Sequence, residues 1–171
     1  MPISTIMFDE VKTFENLFEA KLQNLYDAEQ QLVRALPRMS TAATDPSLRR
    51  SIEKHLCETQ SQVVRLEQVA NGLQLALHGP SCKAMQGLLE ESEILLSFNA
   101  SDEVVDAAII SAAQYIEHYE IAQYGTMVHF ARCLGYLAEA EIFGSILAEE
   151  KSANEMLNQL AHSLANAQAL G

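Results

Sequence analysis

Glutamates stand in this chain at places where helical spacing calls for apolar side chains. Leu25 is followed at +4 by Glu29 and at +7 by Leu32; Ile116 is followed at +4 by Glu120, with Tyr124 a turn beyond; Ile146 is followed at +4 by Glu150 and then by Ala153. Two pairs are three residues apart, Glu117 with Glu120 and His55 with Glu58, a spacing that puts both side chains on one helical face. A buried carboxylate without a partner costs several kcal/mol, so carboxylates turned inward on three helices need compensation. Lysine and arginine number only 11 and mostly lie away from these stripes. A pair of di- or trivalent cations would compensate all of them together. Di-iron and di-manganese bundles take one Glu from each of two helices and a Glu and His at i, i+3 from each of the others. Carboxylate and imidazole suit iron and manganese, and negative ligands favour the higher oxidation states, which leads to chemistry with dioxygen or peroxide.

The ligand inventory departs from that standard. A Glu-x-x-His would place histidine at 61 after Glu58, where Ser61 stands, and Glu150 is followed at +3 by Ala153. Spacing therefore describes a carboxylate-rich site with one histidine, His55, set beside the core position Leu56. The competing reading is a non-catalytic, dimeric bundle that binds a protein partner, its glutamates being helix-edge residues that reach solvent. Elemental content separates the two. His118 points away from the Glu117/Glu120 face, and His78, His129 and His162 fit no cluster. Tyr115, Tyr119 and Tyr124 read as packing residues, with Tyr124 placed to hydrogen-bond a ligand carboxylate. Met39, Met85, Met127 and Met156 read as core fillers, and Glu90, Glu91 and Glu93 as a solvated face.

The elements that must position these residues are all helical. The first pattern runs from about Val11 to Ala42 with Phe14, Phe18, Leu22, Leu25, Leu32 and Leu36 on one face, and Pro37 should weaken its last turn. Asp45 is a cap and Pro46 a first helical residue for the second, from about Pro46 to Leu77, with Ile52, Leu56, Val63, Leu66, Val69, Ala70 and Leu73 inward. HGPSC at 78–82 ends it. A shorter amphipathic helix follows and ends near Asn99. The third long helix covers roughly Asp102 to Leu134 and stops at Gly135; the fourth covers about Leu137 to Ala167, with Phe143, Ile146, Leu157, Leu160 and Leu164 inward. Short turns join one to two and three to four. About two dozen residues lie between the pairs, enough to run the length of a bundle. Two antiparallel hairpins with a long crossover containing a short helix form the ferritin-like four-helix bundle, an all-α fold, here one domain over residues 1–171.

Bulk properties bound the partners. At 171 residues, nearly half of them apolar and only 11 glycine or proline, the chain can bury a core and favours helix. A net charge of −12 argues against nucleic acid and anionic membrane surfaces. Three cysteines, Cys57, Cys82 and Cys133, show no C-x-x-C spacing and read as small, partly buried thiols of a reduced, cytoplasmic protein. MPISTIMFDE shows no signal-peptide pattern, and no apolar run is long enough to span a membrane.

The segments LYDAEQQLVRALPRM (25–39), HLCETQSQVVRLEQV (55–69), CKAMQGLLEE (82–91), AAQYIEHYEIAQYGT (112–126) and LAEEKSANEMLNQLA (147–161) resemble the YciE/YciF family, a ferritin-like domain of unknown function, over about residues 11–165. The resemblance implies a usually dimeric bacterial protein associated with stress responses, with a dinuclear metal site in some members and no known reaction. By that likeness the ligands of two Fe ions, or Mn, would be Glu29, His55, Glu58, Glu117, Glu120 and one of Glu149 and Glu150. Glu150 is preferred because it is in phase with Ile146 and Leu157. Gln60 stands where the family pattern leads us to expect an acidic residue. A homodimer and a small-molecule oxidant or unknown substrate are the partners implied; the reaction, if any, is left open.

Overall fold

A computed structural model describes residues 11–165. It contains five α-helices: α1 (Phe14–Ala42), α2 (Pro46–Leu73), α3 (Lys83–Leu96), α4 (Asp102–Cys133) and α5 (Leu137–Leu160), the last continued by a π-helical turn, Ala161–Ala165. The expected end of the fourth long helix at Ala167, the inward Leu164 side chain and the N-terminal MPISTIMFDE lie outside the described residues.

Cross-helix pairs fix the topology. Tyr26 bonds Glu67 at 2.9 Å and Ser40 bonds Glu53 at 3.3 Å, so α1 and α2 run antiparallel. Gln114 bonds Asn158 at 2.6 Å, and α4 and α5 run antiparallel too. The start of α4 meets the end of α1, where Asp106 accepts from the Thr44 amide at 2.7 Å, the Thr44 hydroxyl at 2.6 Å and the Asp45 amide at 2.9 Å. Since α2 ends at the opposite end of the bundle, its connection to α4 must travel the bundle's length. It does so along α1: Gln23 donates to the Ala76 carbonyl, Asp27 accepts from the Cys82 amide, and Arg38 pairs with Glu93 of α3 at 2.6 Å. This is the ferritin-like connection, two hairpins and one long crossover.

The helix ends follow local chemistry. Thr13 caps α1, and Asp45 caps α2 by accepting from the Ser47 and Leu48 amides, with Pro46 first in the helix. Gly135, at φ +80°, closes α4 with Tyr136 N–H on the Ala131 carbonyl and its own N–H on the Arg132 carbonyl, the paired bonds of a left-handed helix stop. α2 stops at Leu73, four residues before the expected Leu77. Gln74 adopts the same left-handed conformation, and the Leu75 N–H bonds the Ala70 carbonyl. A non-glycine residue at φ 58° is uncommon, which is why the stop was not read from sequence.

The apolar interior is divided in two. One cluster includes Leu32, Leu36, Ile52, Ile109, Ile116 and Leu157; the other includes Phe18, Leu22, Leu66, Tyr124, Phe143 and Ile146. Between them lies a layer of buried polar side chains. Met156, expected as a core filler, is half exposed, while Met39, Met85 and Met127 are buried. No helix among the described residues is long and apolar enough to cross a membrane.

Candidate metal centre

Each of the four long helices contributes to the layer. Glu29 comes from α1, His55, Thr59 and Gln62 from α2, Glu117 and Glu120 from α4, and Glu150 from α5; all are buried. On α2 these three residues recur at i, i+4 and i+7, so the core-facing stripe of that helix is polar through its middle turns. His55 itself therefore faces the core, and Leu56 and Val63, expected inward, are only half buried.

His55, Glu117, Glu120 and Glu150 each offer one ligand atom within 4.8 Å of all the others. His55 Nε2 lies 3.4 Å from Glu117 and 3.8 Å from Glu120, and Nδ1 lies 4.0 Å from Glu150. Two neighbours fix carboxylates by donating to them: the Tyr124 hydroxyl to Glu29 and the Gln62 amide to Glu150. Apart from protons that carboxyls share among themselves, both His55 nitrogens, both Glu120 oxygens and one oxygen each of Glu29, Glu117 and Glu150 have no hydrogen-bond partner. Thr59 donates instead to the His55 carbonyl, at 2.9 Å.

Burial dominates the electrostatics. It pushes Glu29 up to about 7 against the Tyr124 hydrogen bond, Glu117 up to about 8, and Glu150 up to about 10 with the Glu117 and Glu29 charges adding to the effect. Glu120 is raised well above the ordinary carboxyl range by burial and then by Glu29, Glu150 and Glu117. Within the pairs, Glu120 holds its proton against Glu29, and Glu150 holds its proton against Glu117. Burial, with the Lys54 charge, lowers His55 to about 4, so the ring is neutral, with one nitrogen suited to ligation and the other carrying the N–H. No lysine or arginine is buried among the described residues. Oxygen and imidazole donors that converge without a cationic side chain fit a cation of the iron or manganese type.

Of the residues predicted from sequence, Glu29, His55, Glu117, Glu120 and Glu150 converge. Glu58 does not: it is half buried at the rim, paired with Lys54 one turn earlier on the surface of α2. Spacing at i, i+3 gives a shared face, but the α2 core face passes through His55 and Thr59, and Glu58 falls to its side. Glu149 also stays outside, paired with Arg65 and accepting from Gln62 at 3.1 Å. Gln60 and His118 are exposed. Gln62 and Thr59 were missed because a polar i, i+4, i+7 stripe on a helix reads as a solvent face. The hydrogen bond expected of Tyr124 is present.

Residues 13–170 match DUF892, a domain of unknown function. Protein YciF of Escherichia coli (strain K12) is 39% identical over 160 residues, 93% of this chain and 96% of that protein. The crystal structure of the E. coli stress protein YciF superposes with a TM-score of 0.89, covering 92% of this chain and 100% of that one. YcfI of Rhodopseudomonas palustris is 40% identical, with a TM-score of 0.85 over 90% of this chain and 98% of that one. A Xanthomonas campestris protein at 22% identity and a TM-score of 0.72, covering 91% of this chain and 95% of that one, shares the fold.

Proposed function

The chain belongs to the DUF892 family, and from that premise we propose that it is a ferritin-like metalloprotein whose polar layer holds two iron or manganese ions and reacts with a small oxidant, dioxygen or peroxide. One observation carries this reading: four buried glutamates and one buried histidine meet between two apolar clusters, and among the described residues no lysine or arginine is fully buried with them, Arg65 being paired with Glu149 at the edge. Such an arrangement is costly unless a cation offsets it.

When bound, the ion pair would supply Lewis acidity and one-electron redox capacity. The chain's own residues do the rest. Glu29, Glu117, Glu120 and Glu150 supply oxygen donors and His55 a nitrogen donor. Tyr124 and Gln62 orient Glu29 and Glu150 through their hydrogen bonds, as outer partners of metal ligands do. The apolar clusters on either side keep bulk water away from the donors. Ligation requires the raised carboxyls to give up their protons.

The E. coli relative is called a stress protein, and oxidant removal is the stress role we carry to this chain. We place it in the cytoplasm, in keeping with free cysteines at 57, 82 and 133. We also read it as a homodimer, supported by the exposed Ile94, Phe98 and Val104 around the α3–α4 turn.

Elemental analysis of untagged protein grown with iron and manganese tests the reading. About two ions per chain are expected, lost together with thermal stability in Glu120→Ala. Metal-free protein whose melting temperature is indifferent to chelator and to added Fe(II) or Mn(II) would overturn it. That outcome would leave the non-catalytic, partner-binding bundle, a reading favoured by the neutral Gln62 at the centre of the layer.

A further inference from the structure

The seam between α2 and α5 differs from the rest of the bundle surface in two connected features. On the outside lies a groove of about 290 Å³ whose lining includes Arg50, Ser51, Lys54, Glu58, Ala153 and Met156. Beside it a narrower pocket of about 20 Å³, itself partly open to solvent, reaches His55 and Glu117 among Leu36, Ile52, Ala113 and Leu157. Ser51 of α2 and Ala153 of α5 line both. The surface groove and the pocket that reaches the ligand-bearing edge of the polar layer thus share two small side chains.

We propose that the α2–α5 seam is the entrance by which an uncharged, water-sized oxidant of the dioxygen or peroxide class reaches His55 and Glu117. The inference rests on the metal-centre reading above and adds the route and the size and charge limit of what can use it. Size follows from the pocket: about 20 Å³ exceeds the roughly 10–15 Å³ that one water-sized sphere occupies, but leaves no room for an organic substrate. Charge follows from the lining. Beyond Ser51, His55 and Glu117 the walls are aliphatic, and an ion crossing them would shed its hydration without replacement. The Lys54–Glu58 pair lies across the outer groove, and both side chains keep solvent contact, so they can part without unpacking the core. This placement also gives Glu58 a position at the mouth of the route. Two other cavities, one against Tyr26 and His78 and one against Leu17 and Ala20, include none of the layer's residues in their linings.

The test uses the full chain, stripped of paramagnetic ions by chelation, with isoleucine methyls labelled for NMR under dissolved dioxygen. Paramagnetic dioxygen should relax the Ile52 methyl, which lines the pocket, several-fold faster than the Ile146 methyl buried in the other cluster. Ala153→Leu and, separately, Ser51→Val should abolish the excess at Ile52 while leaving Ile146 unchanged. Equal relaxation of the two methyls in the wild-type chain, or an Ile52 effect that survives in a folded variant, would overturn the proposal. If a variant loses its dispersed spectrum, the other variant and the wild-type comparison decide. No bound metal is needed, so a failed route and a failed metal centre give separate results.

Discussion

Removing all metal and raising the pH should weaken this protein. The four layer glutamates have folded-state pKa values above the ordinary 4.5, to about 7 for Glu29, about 8 for Glu117 and about 10 for Glu150, with Glu120 raised as well. A raised acid holds its proton in the folded chain at pH values where the unfolded chain has lost it. Stability from that proton is complete below about 4.5 and drains as pH climbs toward the folded value. His55, lowered from 6.5 to about 4, has the opposite sign: its contribution is present above 6.5 and is lost as pH falls through about 4. From about pH 6.5 to 8.5 the carboxyls therefore act alone. Each proton of difference is worth about 1.4 kcal/mol per pH unit. Four would exhaust the 5–15 kcal/mol typical of a whole domain. One proton, a lower bound because each of the two pairs holds at least one, gives about 3 kcal/mol over those two units, or a fall of about 6–12 °C in Tm at this chain length. Calorimetry of chelated protein in steps across that range measures the slope. Glu120→Gln should flatten it and raise Tm at the alkaline end. Saturating Mn(II) should reverse it, because the cation competes with the departing protons and binds only the folded layer. A metal-free Tm that stays level or rises with pH would refute the reasoning.

Other variants separate the layer from its supports. Tyr124→Phe removes the hydroxyl that bonds Glu29; urea unfolding should show a loss of about 1–3 kcal/mol, together with weaker metal retention in dialysis against chelator. Asp106→Ala deletes three hydrogen bonds at the α1–α2 turn and should cost about 2–4 kcal/mol in the same assay, with metal content per folded chain unchanged. Glu58→Gln breaks only a rim pair with Lys54; it should shift stability by no more than about 0.5 kcal/mol and keep the full metal complement, whereas loss of an ion would return Glu58 to the ligand set.

Glu29, Glu120 and Glu150 were legible because each interrupts an otherwise apolar stripe; singly each reads as a helix-edge residue that reaches solvent, and it is their coincidence on three helices that points inward. Glu117 followed from its spacing to Glu120. The α2 face was not legible. His55, Thr59 and Gln62 leave no apolar residue on the middle of the core stripe, so the flanking Leu56 and Val63 set the apparent inward direction and carried Glu58 with them. The α2 terminus failed for a local reason, since Gln74 takes the left-handed role that sequence reading assigns to glycine or asparagine. Asp106 was passed over because its bonds reach a turn about sixty residues earlier. The topology was legible in part: two tight turns and one connector long enough to run the bundle's length favour the ferritin-like arrangement over an up-down-up-down bundle, and the bonds of Asp106 to the α1–α2 turn and of the connector to α1 decide it.

An anomalous-difference map from crystals grown with iron or manganese, collected on either side of the absorption edge, would test the central claim most directly. The expected result is two peaks within the layer, contacted by Glu29, His55, Glu117, Glu120 and Glu150. Peaks confined to surface carboxylates such as Glu90, Glu91 and Glu93, with none among the buried five, would contradict it.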